Sequence, residues 1–263
     1  MVHRLSSNTM KQIPNIFTLL NLICGCIAIV YTMQNGIAIE YDGDGAQFVD
    51  LSEKMWMASL FIGIAAVVDF LDGFVARLFN ASSEMGKQLD SLADVVSFGV
   101  APSMIIYQFL RMSYAASEGG IDTPMTLLFP AFIMAAAGAY RLARFNIDTS
   151  QQYGFKGVPI PAAGLLVASL PLIYWNSTNA TIIGLVTNKL FLYALIIIVS
   201  GLMISKLPLM ALKFKNLSLK DNLSKVILII FSIVAAVVFN WLAVPLIFIA
   251  YIILSLAFKN KHA

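Results

Sequence analysis

Four aspartates, Asp69, Asp72, Asp90 and Asp94, lie within strongly apolar sequence. Asp69, Asp72, Gly73, Ala76 and Arg77 are spaced i, i+3, i+4, i+7 and i+8, which is one face of a helix. Gly86, Asp90 and Asp94 follow at i, i+4 and i+8 on the next predicted helix. The eight residues between Arg77 and Gly86 allow a short turn containing Asn80, Ser82 and Ser83. Two antiparallel helices would then aim four carboxylates into one cavity. A carboxylate at the centre of a bilayer costs roughly 2.5–3.5 kcal/mol, so four would cost on the order of 10 kcal/mol unless neutralised. Hard divalent cations take carboxylate oxygens, and four carboxylates can hold two such ions. A metal pair can clamp a pyrophosphate and stabilise both the attacking and the leaving oxygen at phosphorus. Arg77 suits a phosphate contact, and one carboxylate can accept the proton of an attacking hydroxyl. Gly73 and Gly86 leave room for a ligand to approach the helix backbone. The residues alone point to metal-assisted phosphoryl chemistry at a membrane surface.

The elements that must position these groups are membrane spans. Of 263 residues, 59% are hydrophobic and 12% charged, about half the charged share of a soluble domain; mean hydropathy is +0.84. The fold class expected is all-α, a polytopic membrane helix bundle. Eight apolar segments near spanning length run approximately over 14–33, 55–79, 91–110, 125–145, 159–175, 189–205, 226–240 and 242–258. The last two form a tight hairpin turning at Asn240 and Trp241. No cleavable signal peptide is evident. Net charge is +3, and nothing indicates nucleic-acid binding. Cys24 and Cys26 read as small apolar fillers.

Lysine and arginine orient the chain. With the N-terminus inside, three of the 17 fall outside, at Lys54, Arg111 and Lys189, and fourteen fall inside. The positive-inside rule then places both termini and the aspartate cluster on the cytoplasmic side of the inner membrane. Residues 1–13 resemble a short interfacial amphipathic helix, with an unstructured tail as the alternative. Residues 206–225 read as a basic cytoplasmic connector touching lipid head groups, or a plain loop. The outer stretch holding Glu40, Asp42, Asp44, Asp50 and Glu53 lacks the spacing of a calcium loop and reads as a solvated loop.

The complete pattern D-x2-D-G-x2-A-R-x8-G-x3-D-x3-D spans 69–94. It resembles the signature of the CDP-alcohol phosphatidyltransferase family. Six spans over 14–205 match that family's six-helix core, and the hairpin at 226–258 lies outside it. The resemblance implies an enzyme that displaces CMP from a CDP-linked lipid with an alcohol, using two divalent cations, Mg²⁺ or Mn²⁺. It implies that Asp69, Asp72, Asp90 and Asp94 hold metal and that Asp94 is also the general base. It assigns Gly73, Ala76 and Gly86 to the nucleotide site and Arg77 to the diphosphate. A homodimer is a further expectation from the family.

Other segments narrow the branch. The runs from Asp90 to Pro102, from Tyr140 to Asn146 and from Phe155 to Gly164 are similar to membrane-integral phosphatidylserine synthases. Ser91 also stands where relatives using glycerol phosphate tend to carry proline. The substrates implied are CDP-diacylglycerol and L-serine. Pro14, Asn15, Thr18 and Asn21 resemble the family's first-span start. Asn15, Thr18 and Asn21 read as nucleotide contacts or as helix-packing groups. Arg141, Arg144 and Lys156 read as ligands for serine carboxylate or lipid phosphate, or as positive-inside charges. Ser97 joins that site or merely packs. Two competing readings remain. One is a sibling transferase with another acceptor, such as glycerol phosphate, inositol phosphate or an amino alcohol. The other is a cation-coupled transporter, for which intramembrane aspartates are also typical but for which no internal repeat speaks.

Overall fold

The computed structural model describes residues 13–34, 37–41, 47–51, 54–78, 83–116, 123–147, 155–210 and 222–258. The chain is an all-α bundle of apolar helices, the fold class expected. In order these are α1 (Ile13–Gln34), α2 (Met55–Leu78), α3 (Glu84–Asp94), α4 (Ala101–Ala115), α5 (Ile133–Ile147), α6 (Ile160–Asn176), α7 (Ala180–Val186), α8 (Lys189–Ile204), α9 (Leu223–Phe239) and α10 (Ala243–Ala257). The expected interfacial helix at 1–13 lies outside the described residues, apart from Ile13, which opens α1. So does most of the basic connector, at 211–221.

Among the described residues, five helical stretches are long and apolar enough to cross a membrane, or six if α7 and α8, bent by 59°, form one span. One of the five, Leu223–Ala257, folds back on itself. Asn240 has φ +49°, a one-turn 3₁₀ segment covers Asn240–Leu242, and α9 and α10 pack against each other. Helix α6 is apolar but 17 residues long. Large apolar side chains such as Val67, Phe70, Ile197 and Val237 are exposed all round the bundle, as expected of helices that meet lipid on one side.

The outer stretch after α1 departs from the loop expected. Strands β1 (Ile37–Tyr41) and β2 (Gln47–Leu51) form an antiparallel hairpin in which Ile39 lies opposite Val49. The reason is legible afterwards: β-branched and aromatic residues flank an Asp-Gly-rich centre, which favours a hairpin. Residues 42–46, which held the weak calcium pattern, lie outside the described residues. A second, two-residue ladder joins β3 (Phe155–Lys156) to β4 (Pro208–Leu209).

The centre of the bundle is the continuous helical stretch Glu84–Ala115. Of its most apolar window 56% is buried, against 17% for Leu223–Ala257. Phe98, Ile105, Ile106, Phe109 and Leu110 are fully buried on it. Between α3 and α4 the helix widens into a π segment, Val95–Val100, in which Ala101 N donates to Val96 O. Pro102 explains the widening. It has no N–H, and in a regular helix its ring would press on the carbonyl of Phe98, four residues back. Neighbouring helices grip this segment closely. A Cβ on Gly25 of α1 would lie 2.7 Å from Ser97 Cα, and one on Gly164 of α6 would lie 2.9 Å from Phe98 Cα. Small residues thus let three helices meet at the turn after Asp94.

Candidate active site

Helix α2 delivers Asp69, Asp72, Gly73, Ala76 and Arg77, and α3 delivers Gly86, Asp90 and Asp94. The start of α3 is set by Ser83. Its backbone is extended, at φ −136° and ψ 151°, and its hydroxyl accepts from Gly86 N at 2.9 Å. That satisfies one of the orphan amides of the first turn. Both helices pack on α1, and their aspartates line one cavity. Carboxylate oxygens of Asp69, Asp90 and Asp94 lie within 4.8 Å of one another. Asp94 is 6% exposed and Asp72 7%.

Asp72 stands apart from this triad. It lines the same cavity but accepts a hydrogen bond from Thr18 Oγ1, which also has Pro14 O within 3.2 Å. Asn21 Nδ2 donates to Asp94 Oδ1 at 3.3 Å. The polar residues of α1 therefore act on the carboxylates: Thr18 holds Asp72, and Asn21 holds Asp94. Asn15 lines the cavity beside Gly86, where an added Cβ would sit 3.1 Å from Asn15 Oδ1. At Gly73 a Cβ would meet only Arg77 Nη1, at 3.7 Å, so that glycine opens onto space.

The cavity has a volume of about 860 Å³. Helices α1, α2 and α3 form one side. Arg141, Leu142, Phe145 and Asn146 of α5 form the other, with Pro159 and Pro161 at the start of α6. Arg141 is 7% exposed, its Nε has no hydrogen-bond partner, and its guanidinium carbon is 6.0 Å from the centre of the Phe145 ring. It also interacts electrostatically with Asp94. A buried guanidinium with an unsatisfied donor, lining the same cavity as the aspartates, is prepared for an anion.

The other acceptor-side candidates go elsewhere. Arg144 is exposed and donates from Nη1 to Ile204 O at 2.9 Å, capping the last turn of α8 rather than entering the cavity. A cation at a helix C-terminus meets the carbonyl end of the dipole. Lys156 is in the β3–β4 ladder and is not among the cavity-lining residues. Ser97 is fully buried and donates to Asn21 O at 2.9 Å, so it joins α1 to the π segment.

Three lining residues received no role from the sequence. Lys87 Nζ donates to Asn146 O at 3.1 Å, and Asn146 Nδ2 donates to Ser91 Oγ at 2.8 Å. Together they tie α3 to α5 across the cavity floor. Lys87 and Ser91 are at i and i+4 on the face next to the aspartates, which was the available signal.

Three carboxylates on two helices suit a hard divalent cation, and no lysine or arginine competes as their hydrogen-bonded counter-ion among the described residues. The site can hold such an ion beside a phosphate-sized space.

The sequence profile of the CDP-alcohol phosphatidyltransferases matches residues 11–200. A Helicobacter pylori protein named CDP-diacylglycerol–serine O-phosphatidyltransferase is 37% identical over 206 residues, 76% of this chain and 72% of its own length. A Bacillus subtilis protein of the same name is 36% identical over 165 residues, 63% of this chain and 78% of its own. A Methanocaldococcus jannaschii protein of that name is 32% identical over 195 residues, 69% and 78% respectively. The matched residues include Asp69, Asp72, Asp90 and Asp94 and the helices that carry them, so the chain belongs to the CDP-alcohol phosphatidyltransferase family.

Proposed function

We propose that this chain transfers the phosphatidyl group of CDP-diacylglycerol to the hydroxyl of L-serine, releasing CMP and forming phosphatidylserine. The observation that carries the reading is the convergence of Asp69, Asp90 and Asp94, with oxygens within 4.8 Å, in one cavity with the buried Arg141. The names of the relatives support serine as the acceptor. In the reaction the serine oxygen bonds to the phosphatidyl phosphorus. The bond from that phosphorus to the bridging oxygen breaks, and CMP leaves with that oxygen.

Asp94 accepts the hydroxyl proton. Asn21 occupies its Oδ1, which orients the carboxylate and leaves Oδ2 for the substrate. Two divalent cations, Mg²⁺ or Mn²⁺, held by Asp69, Asp72, Asp90 and Asp94, would neutralise the diphosphate and the developing charge. Arg77 binds diphosphate. Gly73, Ala76, Gly86 and Asn15 give the nucleotide its space, and Thr18 reaches the site by way of Asp72. Arg141 binds the serine carboxylate, which ethanolamine lacks. Arg144, Lys156 and Ser97 support the surrounding helices instead.

The apolar helices make this an integral membrane protein. The reading extends to eight crossings, with the hairpin as two and α6 as one, and to a cavity and both termini on the cytoplasmic side. A homodimer rests on the family resemblance alone. The test is purified protein in detergent with CDP-diacylglycerol, Mn²⁺ or Mg²⁺, and L-serine, followed by CMP release. Release that depends on serine and exceeds that with glycerol 3-phosphate, inositol phosphate or ethanolamine is expected. Release indifferent to serine overturns the assignment, and none with any acceptor favours a transporter.

A further inference from the structure

The C-terminal hairpin lies beyond the residues that the family profile matches, 11–200, yet α10 packs against α6 and against β4. Tyr251 of α10 is 8% exposed and donates through its hydroxyl to Met210 O at 3.1 Å. One turn on, Ser255 Oγ accepts from Met210 N at 3.3 Å while donating to Tyr251 O at 2.7 Å. Helix α10 thus satisfies both backbone polar groups of one residue, itself 1% exposed. Buried backbone groups need such partners.

Met210 directly follows β4, whose Pro208 and Leu209 pair with Lys156 and Phe155. The chain leaving β3 is held by the same region: Gly157 N donates to Leu207 O at 2.9 Å and Val158 N to Leu202 O at 3.1 Å. Gly157 has φ +79°, and a Cβ there would lie 2.8 Å from Ser205 O. Only glycine fits this turn against the end of α8. Two residues on, Pro159 lines the cavity, and so does Pro161. A series of hydrogen bonds, from side chains of α10 to Met210 and then along the backbone of the β3–β4 ladder, therefore runs from α10 to the cavity wall beside Arg141.

We propose that Tyr251 and Ser255 are positioning residues: by clamping Met210 they hold the Gly157–Pro159 turn, and with it the acceptor side of the cavity, in the shape that binds the acceptor alcohol. This rests on the serine reading above. Neither residue reaches substrate; they act through the ladder. The nucleotide side, built from α1, α2 and α3, does not depend on the clamp. Loss of the clamp should therefore weaken acceptor binding and spare the lipid substrate.

The test uses the full chain with Tyr251→Phe, Ser255→Ala and the double variant, each of which keeps the packing volume almost unchanged. Val237→Ala, on the exposed face of α9, serves as the control. Each lost hydrogen bond is expected to raise the apparent KM for serine about three- to tenfold. The KM for CDP-diacylglycerol and kcat should stay within about twofold. In hydrogen exchange the Gly157 and Val158 amides should exchange several-fold faster in the double variant and unchanged in the control. A role in stability alone would lower the active fraction and the thermal midpoint at constant serine KM, and that outcome also overturns the proposal. Unchanged serine KM together with unchanged exchange at 157 and 158 overturns the proposal. Absence of serine-dependent CMP release in the unmodified chain overturns the serine assignment instead, and the exchange measurement then decides the clamp by itself. Should the double variant fail to fold, the single variants decide.

Discussion

Asp94 and Arg141 are the two charged groups whose surroundings best fit a chemical task. Asp94 has one oxygen tied to Asn21 and lies beside Asp69 and Asp90. An amide in place of the carboxylate still accepts from Asn21 but cannot take a proton. Asp94→Asn is therefore expected to lose roughly 10²- to 10⁴-fold in turnover, the usual span for general-base loss. It should keep CDP-lipid binding better than Asp69→Asn, which removes a group whose proposed task is metal binding alone. CMP release and nucleotide binding, measured on both variants, check this; near-normal turnover in Asp94→Asn would remove the base assignment. Arg141 and Arg144 divide more sharply. Arg141→Ala should raise the serine KM about ten- to hundredfold, as expected for losing a charged hydrogen bond. Arg144→Ala should lower the thermal midpoint slightly and leave both substrate constants alone, because its partner is Ile204 O. A rise only in the lipid constant for Arg141→Ala would move that residue from serine to lipid phosphate. The pair shows where sequence stops. Spacing of three puts both arginines near one face, but which side chain turns inward depends on the end of α8, sixty residues away in the chain.

At the scale of elements, periodicity was enough to bring the carboxylates of α2 and α3 to one cavity. A side chain's direction on a regular helix follows from its number in the chain. The π segment was harder to anticipate, because one wide turn leaves almost no trace in an apolar run; Pro102, with its missing donor, was the single cue. The outer hairpin differs for another reason: its acidic residues suggest a loop, while the β-branched and aromatic residues flanking its Asp-Gly-rich centre favour strands. The glycines now separate into two kinds that the sequence treated alike. Gly73 faces open cavity, so Gly73→Leu should fold normally and block nucleotide binding. Gly86 is crowded by Ser83 Oγ at 3.0 Å and Asn15 Oδ1 at 3.1 Å. Gly86→Leu should therefore disturb the α3 cap as well, and lose both nucleotide binding and part of its thermal stability. Nucleotide binding compared with the size-exclusion profile distinguishes the two. Intact binding in Gly73→Leu would mean that the ligand does not approach α2 there.

For the whole molecule, the fold carries an electrostatic cost that a bound cation can relieve. Asp69, Asp90 and Asp94 repel one another across less than 4.8 Å in a bundle whose outer surface is apolar. Bringing the three together is unfavourable unless positive charge joins them. The unfolded chain keeps the carboxylates apart and binds a divalent ion weakly, so the ion favours the folded state. Linkage sets the size: at a hundred times its dissociation constant, an ion binding only the folded state adds about 2.7 kcal/mol. Mn²⁺ in excess over EDTA is therefore expected to raise the thermal midpoint in detergent by several degrees, whatever the substrate. Asp69→Asn should lose most of that shift while raising the metal-free midpoint, because it removes one of the repelling charges. Asp72→Asn should lose less, since Thr18 already stabilises Asp72. A metal-independent midpoint in the unmodified chain would count against a carboxylate–metal site. An Asp72→Asn shift as small as that of Asp69→Asn would instead place Asp72 in the same ion's coordination sphere, beside the triad.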